Sequence, residues 1–238
     1  MANKIIHIDS FELTYAASKA NTTYILDKGE LGLRGIDASN DADNRLIRIA
    51  GTIAGAYNGI EIGNNDSRNN DVVIEKGAAV QARNKGIDSL GAHNSITNLG
   101  SLFASDAGSY GITAEGGDAV IRNSGLISAN TGISIVGSGN RISNSGAIIG
   151  SSKGLIIDSE TGETNRFVNT GHLESSMAID GRFGDETIIN RGYVGGAVST
   201  GNGDDFLSSS NYIAGDVNLG SGDDRLVLRG KASASSFY

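Results

Sequence analysis

The sequence of 238 residues contains no cysteine, no proline and no tryptophan. Without cysteine the chain can form neither a disulfide framework nor a thiolate metal site, so its stability must come from packing and repetition. No apolar run approaches the roughly 18 residues of a membrane span. The first twenty residues also lack the apolar segment of a cleaved amino-terminal signal peptide, so we expect any export to use another route.

Positive charge is also scarce, since 19 basic residues face 27 acidic ones and the formal net charge is −8. A surface that binds nucleic acid irrespective of sequence needs concentrated lysine and arginine, so we expect no nucleic-acid partner. Arg48, Arg122 and Arg141 fall near the ends of the expected strands and are predicted to be solvated. Sugar-gripping enzymes commonly present aromatic platforms beside a carboxylate cluster, and neither is evident here.

Glycine, in contrast, is abundant at 35 residues, and it recurs within an internal repeat. Residues 121–127 (IRNSGLI) return as residues 142–148 (ISNSGAI). Self-similarity at a period of about twenty residues is typical of stacked-repeat architectures. One glycine marks each unit: the column reads Gly29, Gly51, Gly77, Gly100, Gly125, Gly146, Gly171 and Gly192, then Asn211 as a substitute, then Gly230.

Three apolar columns accompany the glycine, and the alternation around them has the period of two that a strand requires. Four residues before the glycine the sequence has Ile25, Ile47, Val73, Ile96, Ile121, Ile142, Phe167, Ile188, Leu207 and Leu226. Two residues after it lie Leu31, Ile53, Ala79, Leu102, Ile127, Ile148, Leu173, Val194 and Ile213. After a variable gap follow Ile36, Ile60, Ile87, Ile112, Ile133, Leu155, Ile179, Val198 and Val217.

These columns predict an all-β fold, a single-stranded parallel β-helix (β-solenoid) of about ten coils with three short strands per coil. Coils stacked at about 4.8 Å bury a continuous core that no single coil could bury, and ten of them make a rod near 50 Å long. The variable corner lengths favour the right-handed form. We assign residues 1–21 to an amino-terminal cap, 22–230 to the solenoid and 231–238 to a carboxyl-terminal tail.

A polar column lies two residues before the glycine, on the inward side of the strand. Five successive units place asparagine there: Asn98, Asn123, Asn144, Asn169 and Asn190. A buried amide must be hydrogen-bonded, so we predict a ladder in which each side-chain amide bonds to the next.

Acidic corners are confined to residues 183–226. They read Gly201-Asn-Gly203-Asp204-Asp205 and Gly220-Ser-Gly222-Asp223-Asp224, with a degenerate first copy that ends in Asp185-Glu186. The common spacing of 19 residues predicts that Asp185, Asp204 and Asp223 stack, as do Glu186, Asp205 and Asp224. Carboxylates stacked about 5 Å apart repel by roughly 0.8 kcal/mol per pair even in water. They are therefore either a cation site or solvated turns whose repulsion is tolerated.

The same corners resemble the G-G-x-G-x-D-x-U-x repeat of the RTX secreted calcium-binding proteins of bacteria. Gly201, Gly203, Asp205 and Leu207 fit this pattern, and Gly220, Gly222, Asp224 and Leu226 fit it again. The chain departs from it in having one motif per coil. The resemblance implies that Gly201, Gly203, Asp204, Asp205, Gly220, Gly222, Asp223, Asp224, Asp185 and Glu186 hold Ca²⁺. It also implies export to the medium or cell surface in one step.

The sequence therefore favours a secreted or surface-displayed, non-catalytic solenoid with a structural or adhesive role. Its expected partners are further copies of itself, joined end to end or laterally, or a cell-surface or matrix polysaccharide. The alternatives are a polysaccharide-active enzyme (lyase, epimerase or depolymerase) and a glycan-binding module. For the enzyme, the candidate residues are His172, Tyr193 and Tyr212, which share an outward column on three successive coils.

Overall fold

The computed structural model describes residues 4–7, 15–28, 31–33, 35–159 and 164–238. Within these residues it contains 23 β-strands and no helix, and the strands form two parallel sheets that stack as a β-solenoid. The solenoid has about nine turns, where the sequence predicts about ten. The difference arises at the carboxyl-terminal end, because the last repeat adds a strand to the first sheet and only isolated backbone pairing to the second.

The first sheet has eleven strands, in the order β1-β3-β6-β8-β10-β13-β15-β17-β19-β21-β23. They are β1 (Lys4–His7), β3 (Thr22–Leu26), β6 (Leu46–Ile49), β8 (Asp71–Ile74), β10 (Ser95–Asn98), β13 (Val120–Asn123), β15 (Arg141–Asn144), β17 (Thr164–Asn169), β19 (Asp185–Asn190), β21 (Phe206–Ser209) and β23 (Arg225–Leu228).

The second sheet has twelve strands, in the order β2-β5-β7-β9-β11-β14-β16-β18-β20-β22, with β4 beside β7 and β12 beside β9 and β14. They are β2 (Tyr15–Ala16), β4 (Leu31–Leu33), β5 (Ile36–Ala38), β7 (Thr52–Ile62), β9 (Ala79–Ser89), β11 (Ser101–Ala104), β12 (Tyr110–Glu115), β14 (Leu126–Val136), β16 (Ala147–Asp158), β18 (His172–Gly181), β20 (Tyr193–Ser199) and β22 (Val217–Asn218).

The second and third strands predicted for each coil are joined in most coils into one long strand. The register between neighbouring long strands shifts near their middle, for instance between Ala129 and Thr131 on β14. A bulge bends a strand without ending its hydrogen-bonded ladder. The coil therefore bends at this point but keeps its pairing through the bend, which explains why the sequence shows two apolar columns on one element.

The core runs along the axis between the two sheets. The predicted third apolar column is confirmed over its whole length, with Ile60, Ile87 and Ile133 fully buried and in register. The first two columns are confirmed from the fourth coil onward, as shown by Ile96 pairing with Ile121 and Leu102 with Ile127.

Four early members of those columns were assigned to the wrong residue. Ile25 and Val73 were placed one position too late. Leu31 and Ala79 were placed one position too early, since Gly32 and Val80 pair with Ile53. Tyr24 lies in the core in place of Ile25, Val72 in place of Val73, and Val80 in place of Ala79.

The cause in the third coil is a pair of extra corner residues, because Val72 and Val80 are eight positions apart where Ile47 and Ile53 are six. Gly77 forms its own turn at a φ of +86°, and Ala78 takes the place against which Gly100 packs. Gly29 and the side chain of Leu31 lie outside the described residues.

The glycine column has a steric cause. A Cβ built on Gly125 would overlap the carbonyl oxygen of Gly100, and Gly146, Gly171 and Gly192 each meet the preceding glycine in the same way. These glycines have ordinary backbone angles, since none of them has a positive φ. They are needed because adjacent coils approach too closely at this corner to admit a side chain.

The asparagine ladder is confirmed. Each side-chain Nδ2 donates to Oδ1 of the next coil's asparagine at 2.8–2.9 Å, and the series ends where Asn190 donates to Ser209 Oγ at 3.1 Å. The first four amides also donate to a backbone carbonyl, as Asn144 does to His172 O at 3.0 Å. The ladder residues are at most 2% exposed, so their hydrogen bonds are sheltered from water.

Part of the predicted amino-terminal cap continues the parallel stack. β1 pairs with β3 in register, and β2 pairs with β5. Of the apolar residues assigned to the cap, Ile6 packs against the core and Ile5 is 60% exposed. Phe11, Leu13 and the side chain of Tyr15 lie outside the described residues.

Replacing Asn144 by alanine should destabilise the protein by about 2 kcal/mol, because it leaves Asn123 without its acceptor and Asn169 without its donor in a dry interior. The matched control is Ser145→Ala, because the neighbouring Ser145 side chain is exposed and bonds only at the surface. Chemical denaturation of both variants measures the difference. Equal midpoints would contradict a stabilising ladder.

Candidate functional site

The acidic corners lie at the carboxyl-terminal end of the solenoid, on the side where each coil enters the first sheet. Phe183, Asn202 and Ser221 form isolated parallel bridges, so the three corners stack in register. Gly203 and Gly222 have φ of +136° and +143°. A Cβ on Gly222 would overlap the carbonyl oxygen of Gly203, and one on Gly203 that of Gly184. The corner glycines are thus explained by backbone geometry, whether or not a ligand binds.

The outer acidic column comprises Asp185, Asp204 and Asp223. The backbone N–H of Asp204 donates to Asp185 Oδ1 at 2.9 Å, and that of Asp223 donates to Asp204 Oδ1 at 2.8 Å. Asp204 and Asp223 are exposed and Asp185 is half-buried. Each coil therefore uses the carboxylate of the preceding coil as a cap for its corner backbone.

The inner acidic column comprises Glu186, Asp205 and Asp224, and it caps in the opposite direction. The backbone N–H of Glu186 donates to Asp205 Oδ1 at 2.7 Å, and that of Asp205 donates to Asp224 Oδ1 at 3.0 Å. Glu186 and Asp205 are each only 1% exposed. The two predicted stacks therefore exist, one at the surface and one in the interior.

The inner acidic column continues a polar column that runs through earlier coils and that the sequence analysis did not assign. At the same register position the chain has Arg45, Asn70, Asn94, Ala119, Asn140 and Asn165. The capping is the same there, since the backbone N–H of Asn140 donates to Asn165 Oδ1 at 2.9 Å. The signal was available, because each of these residues lies two positions before an inward apolar residue.

Most amides of this column differ from the carboxylates at their second terminal atom, although Nδ2 of Asn70 also has no partner. Nδ2 of Asn94 and Nδ2 of Asn140 donate to carbonyl oxygens of their own corners at 2.7 and 2.8 Å. The corresponding atoms of the acidic residues, Glu186 Oε2 and Asp205 Oδ2, are buried and have no partner. A carboxylate at this column position has no N–H group to donate, so Glu186 and Asp205 each leave one buried acceptor oxygen without a partner.

Burial, followed by the negative charge of Asp205, raises the pKa of Glu186 to about 9. Burial also raises the pKa of Asp205. Two hydroxyl groups oppose these shifts. Ser159 Oγ donates to Glu186 Oε1 at 3.3 Å, and the Thr200 side chain, whose Oγ1 donates to Leu219 O at 2.6 Å, lowers the pKa of Asp205. With a pKa of about 9, Glu186 retains its proton at neutral pH and can share it with Asp205.

The histidines lie in separate surface positions. His7 contacts Asp27 at 2.6 Å, His93 contacts Asp118 at 3.7 Å and His172 contacts Glu174 at 2.7 Å. The predicted outward column is confirmed, with the His172 ring stacked on Tyr193 at 4.7 Å between centroids. Tyr193 and Tyr212 are tilted at 6.3 Å.

Among the residues that the structure describes, no group of three or more His, Cys, Asp or Glu side chains is arranged to hold a metal ion. Nor does that part of the chain include a helix long and apolar enough to cross a membrane. No family model, no curated protein and no solved structure matches this chain. The resemblance of the corners to calcium-binding repeats therefore stays a prediction.

The stability of the last coils should fall as pH rises in buffer free of divalent cations. Because the folded-state pKa of Glu186, about 9, exceeds its ordinary value of 4.5, the folded protein retains a proton that the unfolded chain loses between these values. This contribution is complete below pH 4.5 and is lost as pH approaches 9. Thermal midpoints measured from pH 5 to pH 9, roughly that window, test it.

Glu186→Gln mimics the protonated side chain, so this variant should melt with a weaker pH dependence than the native protein and be more stable than it at pH 8, near the upper limit of that window. Asp185→Asn removes the neighbouring outward carboxylate, the smallest of the contributions that raise the pKa of Glu186, and should retain most of the native pH dependence. If Glu186→Gln and the native protein show the same slope, the assignment of the proton to Glu186 is wrong.

Proposed function

We propose that this chain is a non-catalytic, extracellular β-solenoid with a structural or adhesive role, whose carboxyl-terminal coils are stabilised by Ca²⁺. The observation that carries the cation is the pair of buried oxygens without partners, Glu186 Oε2 and Asp205 Oδ2. In the described residues only four buried side-chain atoms lack a hydrogen-bond partner, and these are two of them. A cation would neutralise their repulsion and remove the need for a shared proton.

The donor set suits calcium in its chemistry. Ca²⁺ takes six to eight oxygen ligands, from carboxylates, carbonyls and water, in flexible geometry. Glu186 and Asp205 would supply carboxylate oxygens, with Ser159 and Thr200 hydroxyls adjacent to them. Both columns use Oδ1 atoms to cap backbone N–H groups. In the outer column Asp204 and Asp223 are exposed to water, whereas the second oxygens of Glu186 and Asp205 are buried without a partner. We therefore assign the ion to the inner column, with the remaining ligands from solvent or backbone.

Calcium should raise the unfolding midpoint relative to a chelator, and the shift should be larger at pH 8 than at pH 5, because a metal ion competes with the Glu186 proton. Glu186→Gln combined with Asp205→Asn should abolish the shift. The matched control, Asp185→Asn with Asp204→Asn, removes the same charge from the outer column and should retain it.

The absence of any calcium-dependent shift would remove the cation from the proposal. If instead the outer pair of substitutions abolished the shift and the inner pair did not, the ion would belong to the outer column. Differential scanning calorimetry of the full chain distinguishes these results. The comparison is matched, because all four side chains lie in the same two adjacent corners.

The ends of the solenoid support assembly with further copies as part of the structural role. In the second sheet, the carboxyl-terminal tail covers the last strand: the backbone N–H of Val217 donates to Ser236 O, and Val217 pairs with Phe237. In the first sheet, β23 pairs with β21, and its other edge has no strand partner among the described residues. An open strand edge is a template for another chain.

End-to-end association predicts particles longer than one solenoid, and their number should rise with protein concentration. The backbone N–H groups of Arg225 and Arg229 donate to the preceding coil, so that of Leu228, between them in alternation, faces the open edge. Replacing Leu228 in β23 by proline would block backbone pairing at that edge and should leave single rods. Electron microscopy and light scattering check both forms. Monodisperse single rods of the native chain at high concentration would contradict this proposal.

A polysaccharide-active enzyme is the second candidate, favoured by the His172–Glu174 contact and the stacking of His172 on Tyr193. Beside them, Glu174, Tyr193, Gly195 and Gly196 line a groove of about 420 Å³. An imidazole oriented by a carboxylate can act as a general base. Ultraviolet absorbance from unsaturated ends, after incubation with polyuronates, would detect lyase activity and overturn the non-catalytic role.

A further inference from the structure

Three exposed arginines lie on the outward face of the first sheet, in three successive coils. We call Arg122, Arg141 and Arg166 the basic face. Arg141 on β15 and Arg166 on β17 are directly opposite each other. Arg122, on β13, is diagonal to Arg141, because its register partner is Ser143. Side chains at such positions project from the sheet in parallel and within reach of one another.

The basic face is not neutralised within the described part of the chain. Elsewhere Arg48, Arg83 and Arg182 each form an ion pair with a carboxylate. No acidic side chain of the described residues lies within ion-pair distance of the three basic-face arginines. Asp71, on β8, interacts electrostatically with Arg122 at longer range. Asp185, on β19, pairs in register with Thr164, two residues before Arg166.

Positive charge is concentrated here although the whole chain carries −8. The four consecutive strands β10, β13, β15 and β17 read SITN, VIRN, RISN and TNRFVN, with three arginines and no acidic residue. Like charges directly opposite in a sheet destabilise it. The pair Arg141–Arg166 thus carries a repulsion that a bound anion would relieve.

The space between the two opposed arginines can receive an anionic group. Arg141, Arg166, Thr164 and Thr187 line a shallow groove of about 230 Å³. A guanidinium group binds a carboxylate or sulfate through two parallel hydrogen bonds. The threonine side chains add hydroxyl groups that can bond to a polar ligand.

We propose that the basic face binds an acidic polysaccharide, through the carboxylate or sulfate groups of successive sugars, and this inference rests on the adhesive role proposed above. Arginines on neighbouring strands are about 4.8 Å apart along the axis, close to the repeat of an extended chain of pyranose units. A polymer lying along the axis therefore presents one anion to each coil. A nucleic-acid duplex fits less well, since three arginines are few and the remaining surface repels it.

Binding of a polyuronate oligosaccharide by isothermal titration calorimetry tests the inference, with a neutral oligosaccharide of the same length and a DNA duplex as comparison ligands. Arg141→Gln with Arg166→Gln should weaken binding by about five-fold per arginine, as expected for exposed ion pairs. Arg141→Lys with Arg166→Lys should retain part of the affinity. Arg191→Gln with Arg229→Gln removes the same charge from exposed positions outside the basic face and should bind like the native chain.

The inference is overturned if the glutamine pair binds like the native chain, if the neutral oligosaccharide binds as tightly, or if the DNA duplex binds more tightly than the polyuronate. Calorimetry in chelator as well as in calcium separates the two proposals. If calcium does not shift the melting midpoint but the polyuronate still binds, only the calcium proposal is refuted. If calcium shifts the midpoint but the polyuronate does not bind, only the polysaccharide proposal is refuted.

Discussion

The fold depends on stacking each coil on the last in the same register. Parallel pairing fixes both the distance between coils and which side chains face inward, so every inward position becomes a continuous column through the molecule. The apolar columns form a core without contact with water, in which isoleucine packs on isoleucine in successive coils, as Ile60, Ile87, Ile112 and Ile133 do. The same constraint requires glycine at Gly125 and Gly146, where one coil's corner lies against the backbone of its neighbour.

Polar columns obey the same constraint but must also satisfy hydrogen bonds. An asparagine column does this by itself, because each amide is both a donor and an acceptor, and Asn123 can bond upward and downward at once. A carboxylate column cannot, because it has acceptors only. At Glu186 and Asp205 the chain retains the capping bond of the amide column and loses the donor. In our proposal either a proton or a cation neutralises these carboxylates, and which of them binds depends on pH and on the medium.

The sequence was sufficient to predict the solenoid, the asparagine ladder and the stacking of the acidic corners, because all three follow from repetition at fixed spacing. It was insufficient where extra corner residues changed the register. Val72 and Val80 were missed because Gly77 occupies a turn of its own, and adjacent Val72 and Val73 match the apolar pattern equally well. The joining of two predicted strands was missed because a bulge leaves no compositional signal. The burial of the Glu186 side chain was not predicted, because it depends on how neighbouring coils pack over it, and the spacing of residues in the sequence does not reveal this.

Stacking identical residues in register also places like charges next to one another. On a helix, in contrast, oppositely charged residues can alternate along one face. A charged residue that recurs at one register position faces its own kind in the next coil, as Asp204 faces Asp185 and Arg141 faces Arg166. The repulsion among the outer aspartates is offset within the chain, because their carboxylates accept hydrogen bonds from backbone N–H groups. The inner carboxylates and the basic face have no internal solution among the described residues. We propose that each is neutralised by a counterion from outside the chain: a small hard cation where the charge is buried, and an extended polyanion where the charge is exposed.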